Sequence, residues 1–193
     1  GGFTKLPAEK EIVALRDKLS GEARADAKLA VEVVAALASQ IPKFDRETEY
    51  ISLYNENEYG LYDGQICSSD TGLVPVEKYL EVTNEFIVPH STSKHARFNR
   101  SSYLVGALAR FNNSHKLLNS AAKKTATQLG LKAPCYNPYM NTVAQVVEVV
   151  HCIEDTIEMM NQLLDKGIKP EKPNQEPTRY GRGVCATEVP RGI

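Results

Sequence analysis

The chain has 193 residues, enough for one domain or one large piece of a bigger one, and its 42% hydrophobic content allows a substantial core. Its 23 basic and 24 acidic side chains nearly cancel, which excludes a global field aimed at nucleic acid or an anionic membrane. No window approaches about 18 consecutive apolar residues, there is no basic-then-apolar leader, and four scattered cysteines without any C-x-x-C read as free thiols of a cytoplasmic protein.

Gly1-Gly2-Phe3 opens the chain without a methionine and reads as a cut inside a longer protein. Pro7 suits a first helical turn, and Ile12, Leu15 and Leu19 mark one helical face. Ser20-Gly21 is expected to interrupt. A second helix follows from about Glu22 to Ser39, with Ala27, Ala30, Val31, Val34, Leu37 and Ala38 on its buried stripe and Pro42 as its stop. Between Glu49 and Val74 the period shifts towards two, so Tyr50 to Tyr54 reads as a strand. Asp63-Gly64 signals a tight hairpin between Leu61-Tyr62 and Gln65-Ile66-Cys67, and Asp70-Thr71-Gly72 a second turn. The tyrosines there could form a binding face; half-buried sheet aromatics are the commoner explanation.

Pro75 to about Phe86 reads as a short helix and Val88 to Asn99 as an irregular polar loop. That loop gathers His90, Lys94, His95 and Arg97, with Arg100 just beyond. Two histidines five apart on a loop have no fixed mutual geometry, which argues against a metal site. Tyr103 to Val105 reads as a short strand, turned by Gly106 into a helix that carries Arg110 and Asn112 among small apolar residues. Buried, both would need polar partners. Ser120 is placed to cap a helix closed by Gly130, and Asn137-Pro138 opens the longest helix, ending near Asp165. Its apolar positions from Met140 to Leu164 recur three or four apart, and at ~1.5 Å per residue it should span about 40 Å. His151 and Cys152 are sequence neighbours on this helix and do not face each other, so His151 reads as a packed or capped side chain. Ile168 to Arg182 is rich in proline and charge and reads as a surface linker.

The last eleven residues, GVCATEVPRGI, begin like a strand that Pro190 stops. Arg191 follows, and Gly192 lets the backbone pass close to a neighbour. A guanidinium held there could grip an anion through its planar fork of donors; an ordinary surface turn carrying an arginine is the commoner reading of the same residues.

E-V-P-R-G-I resembles the E-A-P-R-G motif of nickel–iron hydrogenase large subunits, with Val189 in place of the usual alanine. G-V-C-A-T resembles the G-V-G-A-T of the cytoplasmic, sulfhydrogenase-like branch, Cys185 replacing a glycine. V-G-A-L-A-R-F-N, Val105 to Asn112, resembles a second widespread motif of these subunits. Ser93, Lys94 and His95 match a similar loop, Lys5 and Pro7 fit the start, and Glu148 and Glu154 have counterparts, whereas a family arginine is Gln145 here. The resemblance runs from Gly1 to Ile193.

It implies the central part of the catalytic subunit of an enzyme that splits dihydrogen reversibly into protons and electrons at a nickel–iron centre with cyanide and carbon monoxide ligands. The metal-binding cysteine motifs of the family, R-x-C-G-x-C and D-P-C-x-x-C, are absent from this sequence. The chain would therefore supply no metal ligands and be inactive alone. In the family Arg191 lies beside the centre near its cyanides, and Pro190 walls the same pocket; Glu188, Arg110, Asn112, His95 and Lys94 are supporting residues. Implied partners are an iron–sulfur small subunit and a flavin or other electron-acceptor subunit, linked to NAD(P), deazaflavin, a viologen-type acceptor or sulfur.

The expected fold is α+β and mainly helical: a helical pair over 1–42, a small β meander over 48–74, a helical body over 75–166, the linker over 167–182 and a strand over 183–193. Two other readings stand beside it. One is a metal-free structural or coupling subunit related to respiratory complex I, against which the P-R-G ending speaks. The other is a plain helical interaction module.

Overall fold

The computed structural model describes residues 6–170, 180–181 and 183–193. It is a mixed helix-and-sheet structure built on one strut, α6 (Asn141–Lys166), whose 26 residues give about 39 Å of helix. Asn137 caps its approach by accepting from the Tyr139 amide, Pro138 opens a 3-10 turn, and Gly167 at φ +74° ends it.

Against this strut pack α1 (Glu9–Lys18) and α2 (Arg24–Leu37). Ser20-Gly21 does not interrupt them. Leu19–Ala23 forms a π turn, so the helical pair is one continuous run with a widened turn in its middle. The expected stripe of α2 is narrower than the periodicity suggests. Ala27 and Val31 are buried, whereas Leu37 is 48% exposed. Arg24 grips Glu154 of α6 through two bonds of 2.7 and 2.6 Å.

The sheet is centred on β1 (Glu49–Tyr54), buried along nearly its whole length. β2 (Gln65–Ser68) pairs antiparallel to it, and β3 (Gly72–Val74) to β2. The Asp63-Gly64 signal is misplaced. Tyr54 pairs with Gln65, so residues 55–64 form a long loop and Leu61-Tyr62 is not a strand. Gly64 is required for contact instead: a Cβ there would come within 2.2 Å of the Tyr54 carbonyl oxygen. The turn at Asp70-Thr71-Gly72 is formed, with its amides at Asp70 and Thr71 bonded to the Ser68 hydroxyl.

Residues 75–166 are not purely helical. A 3-10 turn leads into only one α-helical turn, α3 (Tyr79–Val82), after which β4 (Asn84–Phe86) pairs with β5 (His95–Arg97). The polar loop thus forms a hairpin arm, with the Arg97 guanidinium 5.1 Å from the centre of the Phe86 ring. β6 (Tyr103–Leu104) then runs parallel to β1 on its free edge, giving the order β3-β2-β1-β6. α4 (Ala107–Ser114) crosses β1, and α5 (Ser120–Gln128) lies on α6. The cap of α5 is Asn119, whose side chain accepts from the Ala122 amide, not Ser120.

The alternation of β1 divides the core. Tyr50 joins the helical cluster with Ala107, Leu108, Phe111, Val143 and Val147, while Ile51 joins Ile66, Val74 and Val82 on the other side. Most of the expected linker, 171–179 and 182, lies outside the described residues. The strand expected from residue 183 is not formed. Residues 183–188 join no ladder, and a single bridge between Val189 and Gly192 reverses the chain instead. Pro190 removes the donor that a continuing ladder would need. Among the described residues no helix is long and apolar enough to cross a membrane.

Candidate functional site

The start of α4 and the end of the chain are about 80 residues apart in sequence, and the fold locks them together. Gly106, at φ +87°, turns the chain from β6 into α4. A Cβ there would meet the Arg191 carbonyl oxygen at 3.3 Å. A Cβ on Gly192, at φ +146°, would lie 2.6 Å from a Val105 methyl. Both glycines therefore permit a backbone approach that other residues would push apart.

One helical turn into α4, Arg110 is 2% exposed. Its Nε and one terminal nitrogen hold both oxygens of Glu148 on α6, at 2.6 and 2.7 Å. The other terminal nitrogen donates to Glu188 at 2.7 Å and to the Val189 carbonyl at 3.0 Å. The remaining donor reaches the Pro190 carbonyl at 3.1 Å. All five guanidinium donors are used. Burial opposes the charge on Arg110, but the bonds and charges of Glu148 and Glu188 outweigh it and hold the guanidinium above its usual range.

Two carboxylates share this one cation, and each has a second donor. The Tyr59 hydroxyl donates to Glu148 at 2.8 Å, and the Leu53 amide to Glu188 at 2.7 Å. Burial, then the Glu148 charge, pushes the Tyr59 phenol well above its ordinary range, so it stays a donor. Burial also raises Glu188, against the opposing pull of the Leu53 amide and Arg110. Removing one partner of such a set strands an uncompensated buried charge, at a cost of about 3–5 kcal/mol.

The cluster carries a turn. The Glu188 amide donates to the Leu61 carbonyl at 2.7 Å, and Val189 and Gly192 exchange bonds of 2.8 and 3.0 Å. Pro190 and Arg191 form the exposed tip, and among the described residues the Arg191 guanidinium has no hydrogen-bonding partner. Beside the turn runs a groove of about 570 Å³, floored by Arg110, Glu148 and Glu188 and walled by Leu61, Val149 and Pro190. Val189, 56% exposed, borders it.

No protein-family model matches the chain. Sulfhydrogenase 1 subunit alpha of Pyrococcus furiosus is 34% identical over 197 residues, an alignment covering 100% of this chain and 45% of the relative. The chain is thus similar along its whole length to a hydrogenase alpha subunit. It spans less than half the length of that relative.

A hydrogenase alpha subunit generally carries a nickel–iron centre. Among the described residues no group of three or more His, Cys, Asp or Glu side chains is placed to hold a metal ion.

The other residues expected at the site lie apart from the Arg110 cluster. Lys94 pairs with Glu85 at 2.9 Å on the hairpin arm, where the His95 ring meets Phe86 and His90. Asn112 exchanges two 2.9 Å bonds with the Cys135 backbone, pinning the loop ahead of α6. His151 is buried, accepts from the Asn119 amide at 3.2 Å, and sits edge-on to Tyr59. Gln145, at the position of a family arginine, borders the groove without joining the ion cluster.

Sequence reasoning missed Tyr59 and Glu49. Tyr59 lies in the long loop after β1, where no periodicity flags it. Glu49 is fully buried and accepts from Ser68, from the Asn99 amide and side chain, and from the Arg100 amide. A charged residue opening a strand otherwise rich in apolar side chains was its one visible signal.

Proposed function

We propose that this chain is part of the catalytic subunit of a nickel–iron hydrogenase of the sulfhydrogenase-like branch, and that Arg191 is its contribution to the active site. The observation that carries the reading is the exposed Arg191 guanidinium, without a hydrogen-bonding partner among the described residues, on a turn whose flanking backbone is clamped. A rigid turn with an unused five-donor fork is suited to an anion brought by another part of the protein. In this reading the metals are held by thiolates in the remainder of a longer subunit, and the centre supplies the heterolytic splitting of dihydrogen when bound. Arg191 would donate hydrogen bonds to the anionic ligands of that centre and place a positive charge beside them, and Pro190 would wall the pocket. The subunit's partners would be an iron–sulfur small subunit and a flavin or other electron-acceptor subunit, in the cytoplasm.

The test is Arg191→Lys in the full-length subunit. Lysine keeps the charge and loses the two-point geometry, so the metal content should survive while hydrogen oxidation per nickel falls about 10²-fold, the effect of losing one preorganised donor worth ~3 kcal/mol. Infrared bands of the cyanides should shift with it. Wild-type turnover per nickel with unshifted bands would remove Arg191 from the mechanism.

A further inference from the structure

We propose that Arg110 is a positioning residue for Arg191: through the carbonyls of Val189 and Pro190 it sets the direction in which the Arg191 side chain leaves the fold. The inference rests on the role given to Arg191 above and names the device that makes that role possible.

The geometry separates this from an ordinary buried ion pair. An arginine kept only for stability would spend its donors on the carboxylates. Here two of the five go to the backbone of the two residues immediately before Arg191, at 3.0 and 3.1 Å. With every donor occupied, Arg110 has none left for a substrate, which excludes direct contact as its role. Beyond these, the turn's own bridge supplies two bonds, between Val189 and Gly192, and Val105 and Gly106 lie close against its backbone. Glu188 completes the clamp, since the same guanidinium fixes its carboxylate while the Leu61 carbonyl fixes its amide. The anchor is rigid in turn, because Glu148 holds the guanidinium in two-point fashion from the middle of α6. Direction matters because donor placement against a charged group loses its effect with errors on the order of 1 Å.

The experiment is Arg110→Lys in the full-length subunit, with Arg191→Lys in parallel. Lysine keeps the buried charge but has three donors for five acceptors. Amide hydrogen exchange of the segment 183–193 reports the turn directly, without turnover. We expect Val189 and Gly192 to exchange at least tenfold faster in Arg110→Lys, with the middle of α6 unchanged and nickel retained. Turnover per nickel should fall at least tenfold, and the cyanide bands should move in the sense seen for Arg191→Lys. Unchanged exchange at Val189 and Gly192 would overturn the inference whatever the activity does. Faster exchange with wild-type turnover, while Arg191→Lys loses turnover, would overturn it too, since direction would then not matter. If Arg191→Lys itself turns over normally, the reading of Arg191 fails, and faster exchange in Arg110→Lys marks a stability role alone. Should Arg110→Lys not fold, Glu148→Gln, which loosens the two-point grip while keeping an acceptor, must raise exchange at Val189 and Gly192 at least threefold, and no rise would count against the proposal.

Discussion

Gly192 shows how one residue can decide whether a distant side chain is presented at all. Its missing Cβ leaves room for Val105, and its φ of +146° is one that other residues rarely adopt. The clash involves the Val105 Cβ at 2.9 Å as well as a methyl, so rotation of the valine cannot relieve it. Gly192→Ala should therefore destabilise the chain by about 2–4 kcal/mol, combining backbone strain with overpacking. Gly21 is the control. It lies in the helical run, an alanine methyl at its position would meet nothing within 4 Å, and its backbone is not in the left-handed region. Gly21→Ala should stabilise by about 0.5–1 kcal/mol. Urea unfolding of both variants checks the pair, and equal effects would refute this account of the two glycines. The sequence announced Gly192 as a close-approach residue; it could not announce the partner, because Val105 lies on the far side of a long excursion.

Elements were legible in proportion to how locally they are determined. The long helix could be read because its apolar spacing, Asn-Pro start and glycine stop all lie within the segment. β1 and the Gly72 turn were readable for the same reason. The strand over 183–193 and the tight Asp63-Gly64 hairpin were not, because what decides them is a partner elsewhere: Leu61 and Arg110 take up the groups that a ladder would have used, and Gly64 serves the Tyr54 carbonyl. Within the site, Arg110 was visible, with Asn112, as needing polar partners if buried, but the meeting of α4, α6 and the terminal turn that supplies Glu148 and Glu188 is tertiary. His151 gives this scale its prediction. Burial lowers its pKa, outweighing the opposing charges of Asp155 and Glu148, and the neutral ring accepts from the Asn119 amide at the cap of α5. As pH falls through the ordinary histidine range near 6.5, the unfolded chain takes up a proton that the folded one refuses, so stability is lost. Unfolding free energy should drop by up to about 1.4 kcal/mol per pH unit below pH 6.5. His151→Gln, which keeps an acceptor for Asn119, should flatten that slope. An unchanged slope in the variant would assign the pH response to other groups.

At the scale of the whole molecule, the proposed reading requires that metal ligation come from outside the residues described here. All four cysteines and all four histidines fall among the described residues, and they are dispersed through the fold. Cys67 lies on β2, Cys135 in the loop held by Asn112, Cys152 on α6 and Cys185 before the terminal turn. Burial raises the thiols of Cys67 and Cys135, which disfavours the thiolates that nickel or low-spin iron would need. His90 and His95 are close, but the rings meet edge to face on an exposed arm without a third ligand among the described residues. Structural metal binding adds its free energy to folding, so a true site would show as a metal-dependent melting temperature. The chain expressed alone, without an affinity tag, should contain less than about 0.1 nickel per chain, and nickel or a chelator should leave its melting temperature unchanged. If the proposed reading holds and this chain is part of a longer metal-bearing subunit, that subunit should lose stability when the metals are withheld, because the turn bearing Arg191 would then present a charged fork to an empty pocket. Stoichiometric nickel in the chain alone, with a melting temperature that falls on chelation, would mean that this fold ligates metal itself and would displace Arg191 as its contribution.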